Sequence, residues 1–180
     1  MTRENLFDIV RQIIMTVTGV PECILADPNA PSPSGEYASV EPMLSLGQRG
    51  QANTYRENTS PVTSPIGDVN NVSVDTRAQV MARCSVNFYR GDARYRASRL
   101  MQCNKRPDIS ALLFKNKLGW NGVEPVNDLT ALQSNQYEQR SQITLKLMYE
   151  LLDPVEINAI YSAQIIVENE KGEEILNTVA

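Results

Sequence analysis

No histidine occurs anywhere in the 180 residues. That removes the usual general base near neutral pH, the commonest metal ligand, and every Ser-His or Cys-His nucleophile arrangement. Cysteine is scarce too. Cys23, Cys84 and Cys103 are odd in number, widely spaced and set among apolar neighbours, which suits reduced, structural thiols and fits neither a disulfide framework nor a zinc site. No apolar run approaches the length of a membrane span, and Glu4 and Asp8 inside a helical pattern near the start do not suit a signal peptide. A chain made and folded in the cytoplasm is the expectation. Phosphate-cradling glycine loops, calcium loops and nucleophile elbows are missing as well. Carboxylates such as Asp75, Glu138 and Glu150 fall where a solvated strand face would put them. No catalytic residue, cofactor or metal ligand is therefore expected, and the chain is read as non-enzymatic. Positive charge is not in excess either: the formal net charge is −4 and the pI about 5.0. That argues against a protein whose main work is gripping nucleic acid, and leaves room for one that surrounds DNA without holding it.

What is present begins with Val72 to Phe88. The even positions Val72, Val74, Thr76, Ala78, Val80, Ala82, Cys84, Val86 and Phe88 are small or apolar, and nearly all the odd ones between them are polar. A period of two puts these groups on opposite faces of a strand with one buried face. At roughly 3.3 Å per residue the run would extend about 55 Å, longer than a compact domain of this size can cover, so its outer part needs a partner beyond its own core. Tyr137, Ser141, Ile143, Leu145, Leu147, Tyr149 and Leu151 form a second such alternation. The two long strands are expected as neighbours in one sheet.

Around them, Leu6, Val10, Ile13, Ile14 and Val17 recur at helical spacing after Thr2 as a cap, with Gly19 and Pro21 as the stop. Cys23–Ala26 reads as a short strand and Asp27–Gly35 as a proline-stiffened loop. A further strand runs through Tyr37 to Val40, with Pro42 placing its end near a sheet edge. From Gly47 to Asn71 the composition is too polar to build a core, and this segment is read as a flexible loop or an arm that orders on a partner. Arg90-Gly91-Asp92 is read as a glycine turn and aspartate cap, not an adhesive tripeptide, leading into a helix with Ala93, Ala97, Leu100, Met101 and Asn104 on one side. A second helix from Pro107 carries Ile109, Leu112 and Leu113 inward and ends with Lys115 and Lys117 before Gly119. Trp120–Leu132 reads as irregular, Asp153-Pro154 as the end of the second long strand, Ile157 to Val167 as a last alternation, and the remainder as a frayed tail. One domain over residues 1–180 follows: an α+β fold with a mixed or antiparallel sheet of long strands and helices on one face.

Asn5 to Val17, Gly35-Glu36-Tyr37-Ala38-Ser39-Val40, Val80 to Gly91 closing in Asn87-Phe88-Tyr89-Arg90-Gly91-Asp92-Ala93, and Tyr137-Glu138-Gln139-Arg140-Ser141 together resemble the tail-terminator or neck-terminator proteins of tailed bacteriophages. The resemblance covers most of the chain in order and rests on pattern and spacing. It implies a structural virion subunit of the tail or neck, assembled in the host cytoplasm. Such a subunit forms a ring, commonly a hexamer, that ends tail-tube polymerisation and joins the tube to the head connector. Its partners would be copies of itself, the tube protein, the connector or adaptor, and a sheath where the tail is contractile, with genomic DNA passing through and no membrane involved. Tyr55, Arg56, Asp75, Arg77, Arg94 and Arg99 are the residues expected at the assembly interface. Two alternatives stand beside this reading: another neck, connector or tail-tube subunit, and a nucleic-acid-binding protein using the basic helix from Arg90 to Arg106.

Overall fold

A buried stripe and two caps define the first element. The computed structural model describes residues 1–26, 31–64, 67–133, 136–159 and 164–179. Helix α1 (Arg3–Thr18) starts where the Thr2 hydroxyl accepts a hydrogen bond from the Asn5 amide at 3.2 Å, and it stops at Gly19, whose φ of +69° is the left-handed cap that favours glycine. Leu6, Val10, Ile13, Ile14 and Val17 are buried along one side, as their spacing requires.

The strands follow as β1 (Glu22–Leu25), β2 (Tyr37–Gln48), β3 (Asn53–Ser64) and β4 (Gly67–Tyr89). Helices α2 (Ala93–Arg99) and α3 (Pro107–Lys115) come next, joined by a 3-10 turn at Cys103–Lys105. Then come β5 (Leu118–Val123), β6 (Asn127–Asp128), β7 (Ala131–Gln133), β8 (Gln136–Glu138), β9 (Arg140–Ala159), β10 (Gln164–Glu168) and β11 (Glu174–Val179). The main sheet has the order β1-β2-β4-β9-β5, with β3 added on β4 and β6 on β9. β1 pairs with β2 in parallel while β2 meets β4 antiparallel, so the sheet is mixed. The two long strands are neighbours, as expected. Asn87 accepts from Arg140 at 3.2 Å and Ser85 accepts from Gln142 at 2.8 Å; numbers falling on one strand while rising on the other make this pair antiparallel.

One face of the sheet is apolar. Ala38 and Val40, the even residues Val80 to Phe88, and Ile143, Leu145, Leu147 and Tyr149 point into a single core with α1, Ala93, Ala97, Leu100, Cys103, Ile109 and Leu113. Each fully buried aliphatic or aromatic side chain there contributes about 1.5–3 kcal/mol. The helices thus lie on one face, and the opposite face carries Ser39, Arg83, Ser85, Asn87 and Gln142. Beyond the short β1, β2 becomes an edge, which is where Pro42 sits, so its missing N–H costs no ladder bond toward β1.

By internal packing the chain forms two units, residues 1–51 with 78–151 and residues 52–77 with 152–180. Every residue of the core belongs to the first. The second contains the β3 pairing with the early part of β4, and the β10–β11 hairpin. In that hairpin the Asn169 side chain accepts from the amides of Lys171 and Glu173 at 2.9 Å each, a local bond that fixes the turn.

Several expectations need correction. Residues 47–71 were read as a flexible loop or an arm that orders on a partner, and the loop gives way to strands: β2 runs to Gln48, β3 occupies 53–64 and β4 already begins at Gly67. Backbone pairing needs no apolar side chain, so a Ser/Thr/Asn-rich segment can form a ladder that periodicity does not announce. The same reason covers Trp120–Leu132, which carries β5, β6 and the start of β7, and the supposed frayed tail, which forms β11. Asp153-Pro154 does not end β9, because a proline removes one donor and leaves the backbone extended. Asp92 precedes α2 but makes no capping hydrogen bond, and α2 stops at Arg99, leaving Met101 exposed instead of buried with Ala97 and Leu100. Along β4 the contrast of buried and exposed holds from Gln79 to Cys84, whereas Ser85 and Asn87 are buried on the polar face as well and 73–78 are half-buried on both faces. Tyr137 and Leu151, expected inward, are 77% and 51% exposed. Residues 27–30 of the Asp27–Gly35 loop, and Tyr161 and Ala163 of the last alternation, lie outside the described residues.

Candidate functional site

Among the described residues no group of three or more Cys, Asp or Glu side chains assembles that could hold a metal ion. The three thiols are all buried, and burial pushes Cys23 and Cys84 up to about 12 and Cys103 up to about 11. Thiols so protonated are poor nucleophiles.

Six residues were expected at an interface, and four of them meet on one hairpin. Tyr55 on β3 stands directly opposite Asp75 on β4, and Arg77 lies two residues further along the same face. That register lets the Arg77 guanidinium sit 4.6 Å from the Tyr55 ring centre and 3.1 Å from the Asp75 carboxylate. Arg56, opposite Val74, falls on the other face. Tyr55 is 52% exposed. Arg94 and Arg99 are elsewhere, on α2 in the other unit. Arg94 is almost fully solvated and reaches Asp128 at 4.0 Å. Tyr95 and Arg99, four apart, share the outward side of α2. Beside them a cavity of about 630 Å³ is lined by Arg94, Tyr95, Ser98, Asp128, Thr130 and Ser141 among others.

Four of the six cations in the run from Arg90 to Arg106 lie within 4.0 Å of a carboxylate. Arg90 meets Glu138 at 3.3 Å, Arg94 meets Asp128, Arg96 meets Glu36, and Arg106 forms a two-point pair with Asp108 at 3.1 and 2.7 Å. The Arg106 hydrogen bond holds the Asp108 carboxyl below its usual range. Arg99 and Lys105 remain as the cations of this run outside these pairs.

Arg90 takes part in a polar assembly at the end of the sheet that the sequence reading did not single out. It has a left-handed φ of +65°, and its guanidinium donates to the carbonyls of Pro33 and Gly35 at 2.8 and 3.1 Å. The same group lies 6.0 Å from the Tyr37 ring, which stacks on Tyr89 at 4.5 Å, and Arg140 covers Tyr89 from 5.1 Å. At Gly91, also left-handed, a Cβ would collide with the Glu36 carboxylate. Within the Arg-Gly-Asp tripeptide the arginine is thus tied to the fold, while Gly91 and Asp92 are exposed. The signal of this assembly in sequence was two tyrosines and two arginines, Tyr37, Tyr89, Arg90 and Arg140, near strand ends without spacing to join them.

Exposed apolar side chains were also missed. Phe114 is 86% exposed on α3, and Leu151, Val155 and Ile157 continue the apolar row of β9 into solvent. Over residues 4–171 the sequence matches the family model described as phage neck terminator protein. No curated protein matches it.

Proposed function

The chain belongs to the phage neck terminator family, and from that premise we propose that it forms the ring that closes the head-proximal end of a bacteriophage tail. It is a structural protein of the phage neck. A tube that grows by adding identical rings presents at its open end the surface that recruits the next ring. Ending that growth requires a subunit that binds this surface and offers a different one on its far side. In this reading six copies close the ring, one side meets the tail tube, and the other meets the head connector or adaptor, with a sheath as a further neighbour where the tail contracts. The 180-residue chain acts as one subunit, and its 47–71 segment meets another protein through Tyr55, Arg56, Asp75 and Arg77. Assembly takes place in the host cytoplasm, and no catalytic step is assigned.

The observation that carries the proposal is the reach of the family match, which spans both units. Two structural facts support it. Carboxylates face four of the six cations in the Arg90–Arg106 run, and the chain is acidic overall; such a ring lets DNA pass, since retention on phosphates needs unpaired basic groups. Apolar side chains on β9 and α3 are left in solvent in numbers that suit burial by neighbours.

Phage produced without this protein should yield heads and separate tails, many of abnormal length, and added purified protein should bind tail ends and not tail sides. Normal joining with unchanged tail length in its absence would refute the terminator role.

A further inference from the structure

Charge is divided unevenly along this chain. Of its 17 Lys and Arg, 3 fall in residues 52–77 and 152–180, which hold 9 of its 21 Asp and Glu. A molecule of net charge −4 thus consists of one unit near +2 and another near −6. One local expression begins where the units meet in sequence, at Glu150 to Ile157 on β9, where Glu150, Asp153 and Glu156 are the only charged residues. Every side chain from Glu150 to Ile157 is exposed. Leu151, Val155 and Ile157 continue in phase the row that is buried from Ser141 to Tyr149, so a core face runs on into water with Asp153 between its apolar groups and Glu150 and Glu156 along the other side of the same strand. The outward side of α2 has the opposite character. Arg94 and Arg99 flank the 64% exposed Tyr95, the exposed Met101 follows, and the 630 Å³ cavity opens beside Arg94 and Tyr95. Asp92 and Asp128 also line that cavity, and the Asp128 carboxylate already accepts from the Thr130 hydroxyl at 2.6 Å.

Acid with aliphatic on one surface and arginine with aromatic on the other are complementary in both charge and polarity. We infer that the Glu150–Ile157 strip of one copy docks on the Arg94–Tyr95–Arg99 face of the next copy, with its aliphatic side chains entering the cavity beside Tyr95. The surfaces are different parts of the chain, so the contact is heterologous. Repeated around an axis such a contact closes a ring or runs on as a filament. This deepens the neck-ring reading and rests on it.

The test uses the full chain in three forms: wild type, Arg94→Glu with Arg99→Glu, and Asp153→Lys with Glu156→Lys. All four positions are exposed, so the variants should keep the wild-type circular dichroism and melting temperature. Wild type should sediment as a ring that dissociates as salt is raised, and each variant alone should be a monomer. Mixed in equal amounts, the two variants should form rings again, because every second contact is native and every other one is reversed in sign on both sides. If wild type forms rings and both variants do too, this contact is wrong and the ring reading stands. If each variant is monomeric but the mixture does not recover, the two surfaces do not meet each other. If the arginine variant forms rings but no longer binds tail ends, the α2 face belongs to the tail tube. Wild type that stays monomeric in solution and on tail ends would remove the ring reading and this contact with it.

Discussion

At Arg90 one guanidinium bonds two carbonyls, pairs with a carboxylate and lies over a ring, which is why a tripeptide with an adhesive look is in fact a fastening between the Pro33–Gly35 segment and the sheet. The cysteines make a second point at this scale. Burial holds all three protonated, so an alkylating reagent at pH 8 should modify none of them until denaturant is added. Stoichiometric labelling of a native thiol would contradict their placement. Their folded-state values lie above the ordinary 9.0. The folded state therefore binds more protons between pH 9 and 12, and the associated stability is complete below about pH 9 and is lost as pH climbs through that window. A urea midpoint that falls from pH 8 to pH 10.5, with a smaller fall in a Cys84→Val variant, is the expected result. An identical fall in that variant would place the effect elsewhere.

Among the elements, β4 and β9 decide the fold, and the phase of β4 gives a sharp test. Val80 is buried and Gln79 exposed. Val80→Asp loses a buried side chain worth about 1.5–3 kcal/mol and adds an unpaired carboxylate to the core, so it should unfold the first unit; Gln79→Asp should melt as wild type. Equal melting temperatures would show the strand assigned to the wrong phase. This phase was legible in the sequence because Val80 to Phe88 and Ile143 to Tyr149 face one apolar layer, and burial leaves a period of two in residue type. α1 was legible for the same reason at period 3.6. β3 and β11 were not, because backbone bonds hold them. Nor was the end of the core along β9: Leu151, Val155 and Ile157 carry the same pattern as Leu145 and Leu147, and only the structure shows that nothing in the described chain covers them. Of the candidate interface, Tyr55, Asp75 and Arg77 share one face through a register that composition does not reveal.

For the whole molecule, the pairing of Arg90, Arg94, Arg96 and Arg106 with carboxylates argues that the purified protein will pass through a heparin column at physiological salt. Firm retention would revive the nucleic-acid reading. The order of the sheet carries a consequence of another kind, concerning time. Ser85 and Gln142, joined across its central strand pair, are 57 residues apart in sequence, and the floor beneath α1 is incomplete until β9 takes its place. Loop closure over such distances is slow, and ribosomes add roughly 5–20 residues per second. A nascent chain must therefore wait several seconds, with its first helix and β2 made, for the strand that lets them settle. Because β9 both completes the core and continues into the Glu150–Ile157 strip, a chain cut short before β9 lacks the last wall of its core and that strip together.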